Sequence, residues 1–473
     1  MANTYTPFDP HEYELRSAIV STQRNSHVVN ITSTMVELII FEHLERGYLT
    51  GSISYVDTGR SIEIIDYQGT EFLDIELALH SSPYTVKKRF VIREVQSIVP
   101  TTDTTDMVTL AIIDYDAYLS SLININKMYE GKPSQIINDI LRDAYGAEKS
   151  ALRAGSGGIL SEQNWDLSSE IPEAATNAIT KATSYELQSA FRYLVPNLPP
   201  LDAIEVIKRR TTGLTGTPFF CFASLADNNL RFFDLYTLLQ QPPINVKDPY
   251  VFSSQLSQRA GTTGSDLGRQ ISSLRSPKNA NTLALVMNGD VSSVYEFVDT
   301  THGLEFTFKY DLDKVLKNLL VTNSYPAADT RTEFKGTPIS EFGTKRVHKI
   351  GTANIYDNDI KNIYEETSAQ KHSALAVSKS VRNLLGKSIL EITVPGLHNL
   401  PQNGHKTIGR VISVLSIADV EQHTELFDRK RTGDYIIYSA KHTFTKERYT
   451  TGLSLVKIAN YRGNTRVGSG GAS

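Results

Sequence analysis

Cysteine is almost missing from this chain. Cys221 stands alone among 473 residues, which excludes an internal disulfide framework and any metal site built from several thiolates. No run of roughly 18 apolar residues occurs. The opening MANTYTPFDPHEYELR carries no basic-then-apolar leader. The sequence therefore predicts no stable membrane insertion and a protein that folds in the cytoplasm. A surplus of one charge is also lacking. The 48 Lys and Arg against 52 Asp and Glu give a formal charge of −4, which is not the balance of a general nucleic-acid binder.

Chemical motifs are equally scarce. The 11 histidines include no HExxH and no helical i, i+4 pair. His423 and His442 could meet, but nothing provides a third ligand. Gly386-Lys387-Ser388 looks like the close of a phosphate-binding loop, yet Val381 stands where its first glycine belongs. YEGKPS has Asn126 and Pro133 at the two decisive places, and GSGGILS (155–161) lacks the GxGxxG spacing. No GxSxG elbow is present. The acid pairs Asp103 with Asp106 and Asp114 with Asp116 could serve a glycosidase, but such pairs are commonplace at strand ends and in loops. The run Arg429-Lys430-Arg431 reads as a solvated loop more readily than as a DNA contact. The sequence thus assigns no catalytic, cofactor-binding or metal-binding residue, predicts no cofactor, and reads as non-enzymatic.

What the chain does have is strand. With 40% hydrophobic residues, 23 Tyr and 18 Phe, it can build real cores and favours β structure. MVELIIFEHLERGYLTGSISYVD reads as two strands around a bend near Gly47, the second with Leu49, Ile53 and Tyr55 on one face. GRSIEIIDYQ reads as a further strand. EFLDIELAL puts Leu73, Ile75, Leu77 and Leu79 inward and Asp74 and Glu76 outward. RFVIREVQSIV and MVTLAIIDY continue the series. SQIINDILRDAY then changes period, with Ile136, Ile137, Ile140 and Leu141 on a helical stripe and Ser134 as N-cap. LPPLDAIEVIKRRTTG is a second helix closing on Lys208-Arg209-Arg210, cations suited to the negative end of the dipole. TPFFCFASLADNNLRFFDLYTLL reads as a hairpin, and TLALVMNGDV, SSVYEFVD and LEFTFKYDL as strands. A helical piece covers 357–385. Polar stretches fill about 253–281 and 322–350.

The end of the chain is its clearest signal. GDYIIYSAKHTFTKERYTTGLSLVKI (433–458) is a long hairpin turning at Thr445-Lys446-Glu447-Arg448. A period of two groups Ile436, Tyr438, Ala440, His442 and Phe444 on one face and Tyr435, Ser439 and Lys441 on the other. Tyr449, Leu453 and Leu455 share a face in the return. His442, between Ala440 and Phe444, reads as a hydrogen-bonded core histidine. The fold class is mainly β, with two β bodies joined by an α/β connecting segment.

Five stretches in register resemble the baseplate hub proteins of contractile-tailed bacteriophages. These are Ile40-Phe41-Glu42 with Thr50-Gly51 through Asp57 and the Gly69/Glu71 turn; Gly131 through Leu141; LDAIEVIKRRTTG with the hairpin after it; ITVPGLHNLPQNGHKTIG; and the closing hairpin. The polar inserts near 253–281 and 322–350 depart from that pattern. The resemblance implies two tail-tube-like β-barrels per chain, and with it the chain divides into an N-terminal arm (1–24), a first barrel (25–122), an α/β connecting domain (123–245) and a second barrel (246–460), followed by a tail (461–473) whose lack of apolar residues predicts disorder. It implies a structural protein of the virion tail, made in the host cytoplasm. A homotrimer would form a ring between a tail tube protein above and a central spike below, flanked by wedge or sheath components, with genomic DNA passing transiently through its lumen. The hub of a type VI secretion or other contractile injection device is the related alternative. Such chains often continue into further spike domains, so an end at residue 473 favours a phage hub. A cell-wall hydrolase on a β scaffold is the alternative of a different class.

Overall fold

The computed structural model describes residues 11–22, 24, 27–78, 85–145, 191–213, 216–225, 230–241, 243–245, 249–252, 268–278, 286–299, 304–311, 333–338, 342, 344–350, 366–385, 389–396, 407–416 and 431–459. GSGGILS, Gly386-Lys387-Ser388, His423, Arg429, Lys430 and the tail 461–473 lie outside these residues.

The first body holds β1 (Glu14–Ser21), β2 (Val28–Asn30), β3 (Met35–His43), β4 (Thr50–Asp57), helix α1 (Ser61–Ile65), β5 (Phe72–Ala78), β6 (Thr85–Thr102) and β7 (Thr105–Asp114). Its strands run in the order β3-β4-β7-β6-β5-β1-β2, and every pairing is antiparallel. Alternate residues face one core that includes Leu38, Ile40, Ile53, Tyr55, Leu73, Ile75, Phe90 and Leu110, as period-two patterning requires. Two sequence expectations change here. Residues 14–21, inside the polar arm, form β1, which lies between β2 and β5 and buries Ala18 and Val20. GRSIEIIDYQ contains a short helix instead of a strand. The Asp57 carboxylate accepts from the N–H groups of Gly59, Ser61 and Ile62, and this local capping outcompetes strand propensity.

The connecting segment comprises α2 (Tyr115–Leu122), β8 (Ile125–Gly131), α3 (Pro133–Tyr145), β9 (Phe191–Leu198), α4 (Pro200–Arg210), the hairpin β10 (Phe219–Ala223) and β11 (Leu230–Asp234), and α5 (Leu235–Gln240). The α3 stripe Ile136, Ile137, Ile140 and Leu141 packs with Ile204 and Ile207 of α4 in a core of its own. Helix α3 begins at Pro133, one residue before the expected Ser134 cap. Proline suits a first helical position, and Gln135 Oε1 accepts from Lys132 N at 3.1 Å in place of a serine cap. LYTLLQ extends the hairpin as a helix, because Asp234 accepts from Thr237 N at 3.0 Å and caps it.

The second body holds β12 (Tyr250–Phe252), β13 (Ser273–Lys278), β14 (Ser292–Asp299), β15 (Leu304–Asp311), β16 (Glu333–Phe334), β17 (Thr337–Pro338), β18 (Thr344–Ile350), α6 (Glu366–Leu385), β19 (Ile389–Pro395), β20 (Val411–Ser416) and the closing strands β21 (Gly433–Thr445) and β22 (Tyr449–Ala459). Strand β13 falls inside the first polar insert and pairs with β19. Of the expected strand TLALVMNGDV, residues 282–285 lie outside the described residues and 286–291 form a turn: Gly289 has φ +68° and its N–H donates to Val286 O at 2.9 Å, leaving Met287 exposed.

The two bodies share one sheet. Its path runs β13-β19-β22-β21-β3-β4-β7-β6-β5-β1-β2, so β21 bonds β22 on one side and β3 on the other. The sheet then curls until the segment before β1 reaches the tip of the same hairpin. Tyr449 N donates to His11 O at 2.8 Å, and the Tyr13 hydroxyl donates to Thr445 O at 2.5 Å. The Tyr13 ring packs on Phe444 with centroids 5.2 Å apart.

Candidate functional site

The place where most of the distinctive residues meet is the crossing of β3, β21 and the β10–β11 hairpin. FFCFASL is buried on both faces, and its period of two distributes side chains among three cores. Phe219 and Cys221 enter the connecting core, Phe220 and Phe222 the second body, and Ala223 and Leu225 the first. This hairpin is the wedge between the bodies.

At its end Ser224 Oγ donates to Glu42 Oε1 at 3.1 Å, and Leu225 N donates to the same oxygen. Glu42 is fully buried, and its other oxygen lies 3.5 Å from His442 Nε2. His442 Nδ1 and the Tyr449 hydroxyl are hydrogen-bonded at 2.7 Å. With the phenol donating, the imidazole proton sits on Nε2 and faces the carboxylate. Burial drives the Tyr449 pKa well above the usual phenol value, so its proton stays in place. The Tyr449 ring stacks on Phe444 at 4.3 Å, and it occupies space that only glycine leaves open. A Cβ on Gly396 would sit 2.1 Å from the ring. Gly396 N also donates to Tyr449 O at 3.0 Å. Glu42, Ser224, Gly396, His442 and Tyr449 come from four of the five stretches that carry the family resemblance, and they form one contact chain.

A second buried group lies nearby. Lys208 of α4 is fully buried and donates to Glu45 O at 2.8 Å, with Glu45 Oε2 at 3.2 Å and Glu205 Oε2 at 2.5 Å. Arg382 of α6 reaches the same Glu45 oxygen at 3.2 Å and donates to Phe219 O at 2.7 Å. Glu45 thus ties the loop after β3 to both the connecting segment and the second body. In the sequence Lys208 is one of three cations suited to the negative end of the α4 dipole. No sequence signal distinguishes it from Arg209, which lies on the exposed side and pairs with Glu205 along the helix.

The remaining motif residues have local duties. A Cβ on Gly51 would lie 2.2 Å from Ile39 O, so the β3–β4 pairing needs glycine there. Glu71 is buried, and the N–H groups of Gln68, Gly69 and Thr70 converge on its carboxylate; Gly69 reaches φ +88° to do so. Of the acid pairs, Asp114 accepts from Asp116 N at 3.2 Å and caps α2. Its carboxyl is pushed above the ordinary range by burial and then by the Asp116 charge. Asp106 stands across from Asp57 in the β4–β7 ladder, and Asp103 sits in the β6–β7 turn. Asp106 and Asp114 stand near opposite ends of β7. Among the described residues, no group of three or more His, Cys, Asp or Glu could hold a metal ion, and no helix is long and apolar enough to cross a membrane.

No family model matches the chain, and no curated protein matches it. Solved structures do. A tail protein from Neisseria meningitidis MC58 aligns over 95% of this chain and 98% of its own length, at 10% identity and a TM-score of 0.46. The 43 kDa tail protein of prophage MuSo2 from Shewanella oneidensis aligns over 94% and 99%, at 11% identity and a TM-score of 0.49. A component of the type VI secretion system of Escherichia coli aligns over 96% of this chain and 78% of its own, at 10% identity and a TM-score of 0.42.

Proposed function

We propose that this chain is the structural hub of a contractile phage tail baseplate. Three copies close head to tail into a ring, six β bodies meet the six-fold tail tube, the central spike docks below, and genomic DNA passes through the lumen. The observation that carries the reading is the shared sheet. Strand β21 pairs with β22 in the second body and with β3 in the first, so the two β bodies are held in one fixed relation. An adaptor that presents paired units to a symmetric tube needs that rigidity. The five stretches resembling hub proteins support it, since residues from four of them build the junction.

In this reading the chain turns over no substrate, and its buried acids and histidine serve packing. The test is the mass of the purified protein, alone and mixed with its spike. A trimer in either state, burying more than about 2,000 Å² per interface, is expected. A monomer in both, or lysis of cell-wall substrate that disappears in Asp114→Asn, would remove the hub reading.

A further inference from the structure

Glycine in a strand interior weakens the strand and commonly marks a close approach by something else. Gly51 of β4 obeys this rule through Ile39 O of its own chain, at 2.2 Å, and Gly396, just past the end of β19, is likewise filled by the Tyr449 ring at 2.1 Å. Gly452 of β22 does not obey it. A Cβ there would meet nothing nearer than Lys441 Cβ at 3.7 Å, and its backbone has no positive φ that would demand glycine. The fold leaves that space open without using it.

The space is the floor of a pocket of about 340 Å³ on the outer face of the shared sheet, at the seam of β3 and β21. Arg46 and Lys441 stand on its walls, both exposed, and among the described residues neither has an ion-pair partner. Phe41 is 43% exposed, unusual for a large aromatic, with Lys441 Nζ 6.0 Å from its ring centre. Tyr48 and Ser439 complete the rim with hydroxyl donors. Glu42 beneath the sheet is committed to Ser224 and Leu225, and Glu45 to Lys208 and Arg382, while Glu391, across from Ser454, stands opposite Arg275 in the β13–β19 ladder.

We infer that this pocket is a docking site for a carboxylate side chain flanked by apolar residues, presented by an extended acidic segment of a partner protein. Two cations unmatched by acids call for an anion. The exposed Phe41 ring offers apolar contact to whatever lies next to it. A nucleic acid would need the cations to continue along the surface, and the adjoining outward positions Ser52, Ser54, Thr443 and Thr450 are neutral. The strands at the seam are paired on both sides, so recognition runs through side chains and not through strand addition.

The experiment is fluorescence anisotropy on the full chain. The probe is a fluorescein-labelled peptide of four Val-Glu repeats, compared with four Val-Gln repeats and challenged by inorganic phosphate and short oligothymidine. Saturable binding of the Glu peptide alone is expected, weakened at least about tenfold in the Arg46→Gln/Lys441→Gln double variant. Gly452→Val, which fills the floor at a position where a Cβ fits and a β-branched residue suits a strand, should lose binding equally while melting like the parent. Should Gly452→Val fail to fold, the exposed double variant decides alone. Equal binding of the Gln peptide, displacement by phosphate or oligothymidine at lower concentration than by unlabelled Glu peptide, or unchanged affinity in the variants would each overturn the inference.

Discussion

The two halves of β21 live in different surroundings. Its base, Gly433 to Ile437, is buried on both faces, with Tyr435, Ile436 and Ile437 all in the second core. Its outer half alternates: Ala440, His442 and Phe444 are buried while Lys441 is exposed and Thr443 half-buried. Phe444 belongs to the first core. A register irregularity falls between Ile437 and Ser439, where the strand passes from one environment to the other. The bulge shifts the buried phase from Tyr435 and Ile437 to Ala440, His442 and Phe444, and beyond it Ala440 still packs in the second core while Phe444 enters the first. The base is sandwiched like a buried central strand; the tip is a half-solvated one.

Cutting each half separately tests this division. Phe444→Ala should cost about 4 kcal/mol, and hydrogen exchange should rise first in β3 and β4 while β19 and β20 keep their protection. Ile437→Ala should reverse that order. Equal loosening of both bodies by either variant would mean a single cooperative unit. His442→Ala, at the crossing itself, should cost about 3 kcal/mol from a cavity and a lost hydrogen bond, with assembled mass unchanged. A variant that melted like the parent and failed to assemble would show that His442 contacts a partner. Lys208→Met should cost about 2 kcal/mol in urea titration. The figure is modest because Glu45 keeps Arg382 and Glu205 keeps Arg209.

The smallest expected effect lies far from the crossing. Burial alone would raise the Asp57 pKa, but the N–H groups of Ser61, Ile62 and Gly59 outweigh it and hold the carboxyl below its ordinary 3.8. A depressed folded-state pKa stabilises fully above the unfolded value and loses that contribution as pH falls through the folded one. Asp57→Asn should therefore flatten the acid limb of a stability curve below about pH 4 and leave neutral pH nearly parallel. An unchanged acid limb would show that these donors do not favour the charged form.

Much of the β scaffold was legible because its strands are half-buried, so hydrophobic alternation reports facing directly. The faces of β4, β5 and the tip of β21 follow from spacing alone. The base of β21 did not: Tyr435 and Ile436 are neighbours on opposite faces, yet both are buried, since a doubly covered strand has no polar side to betray its phase. Helix α1 was hidden because one carboxylate, Asp57, decides it locally. The buried charges Glu42 and Lys208 were illegible for a different reason. A charged residue looks solvated in sequence, and only the arrival of Ser224, Leu225 and Glu45 from distant segments makes its burial tolerable.

The bond between His11 and Tyr449 joins residues 438 positions apart. At ordinary rates of translation the residues that finish the N-terminal core leave the ribosome roughly 20 to 90 s after those that begin it. During that interval β3 exposes the edge that β21 will cover, and the core lacks Phe444 and Tyr449. A nascent or prematurely ended chain therefore carries an open, apolar sheet edge, prone to aggregation or to clearance. The closing hairpin acts as a completeness check on everything before it, since a chain stopped short of Phe444 and Tyr449 cannot close its first body.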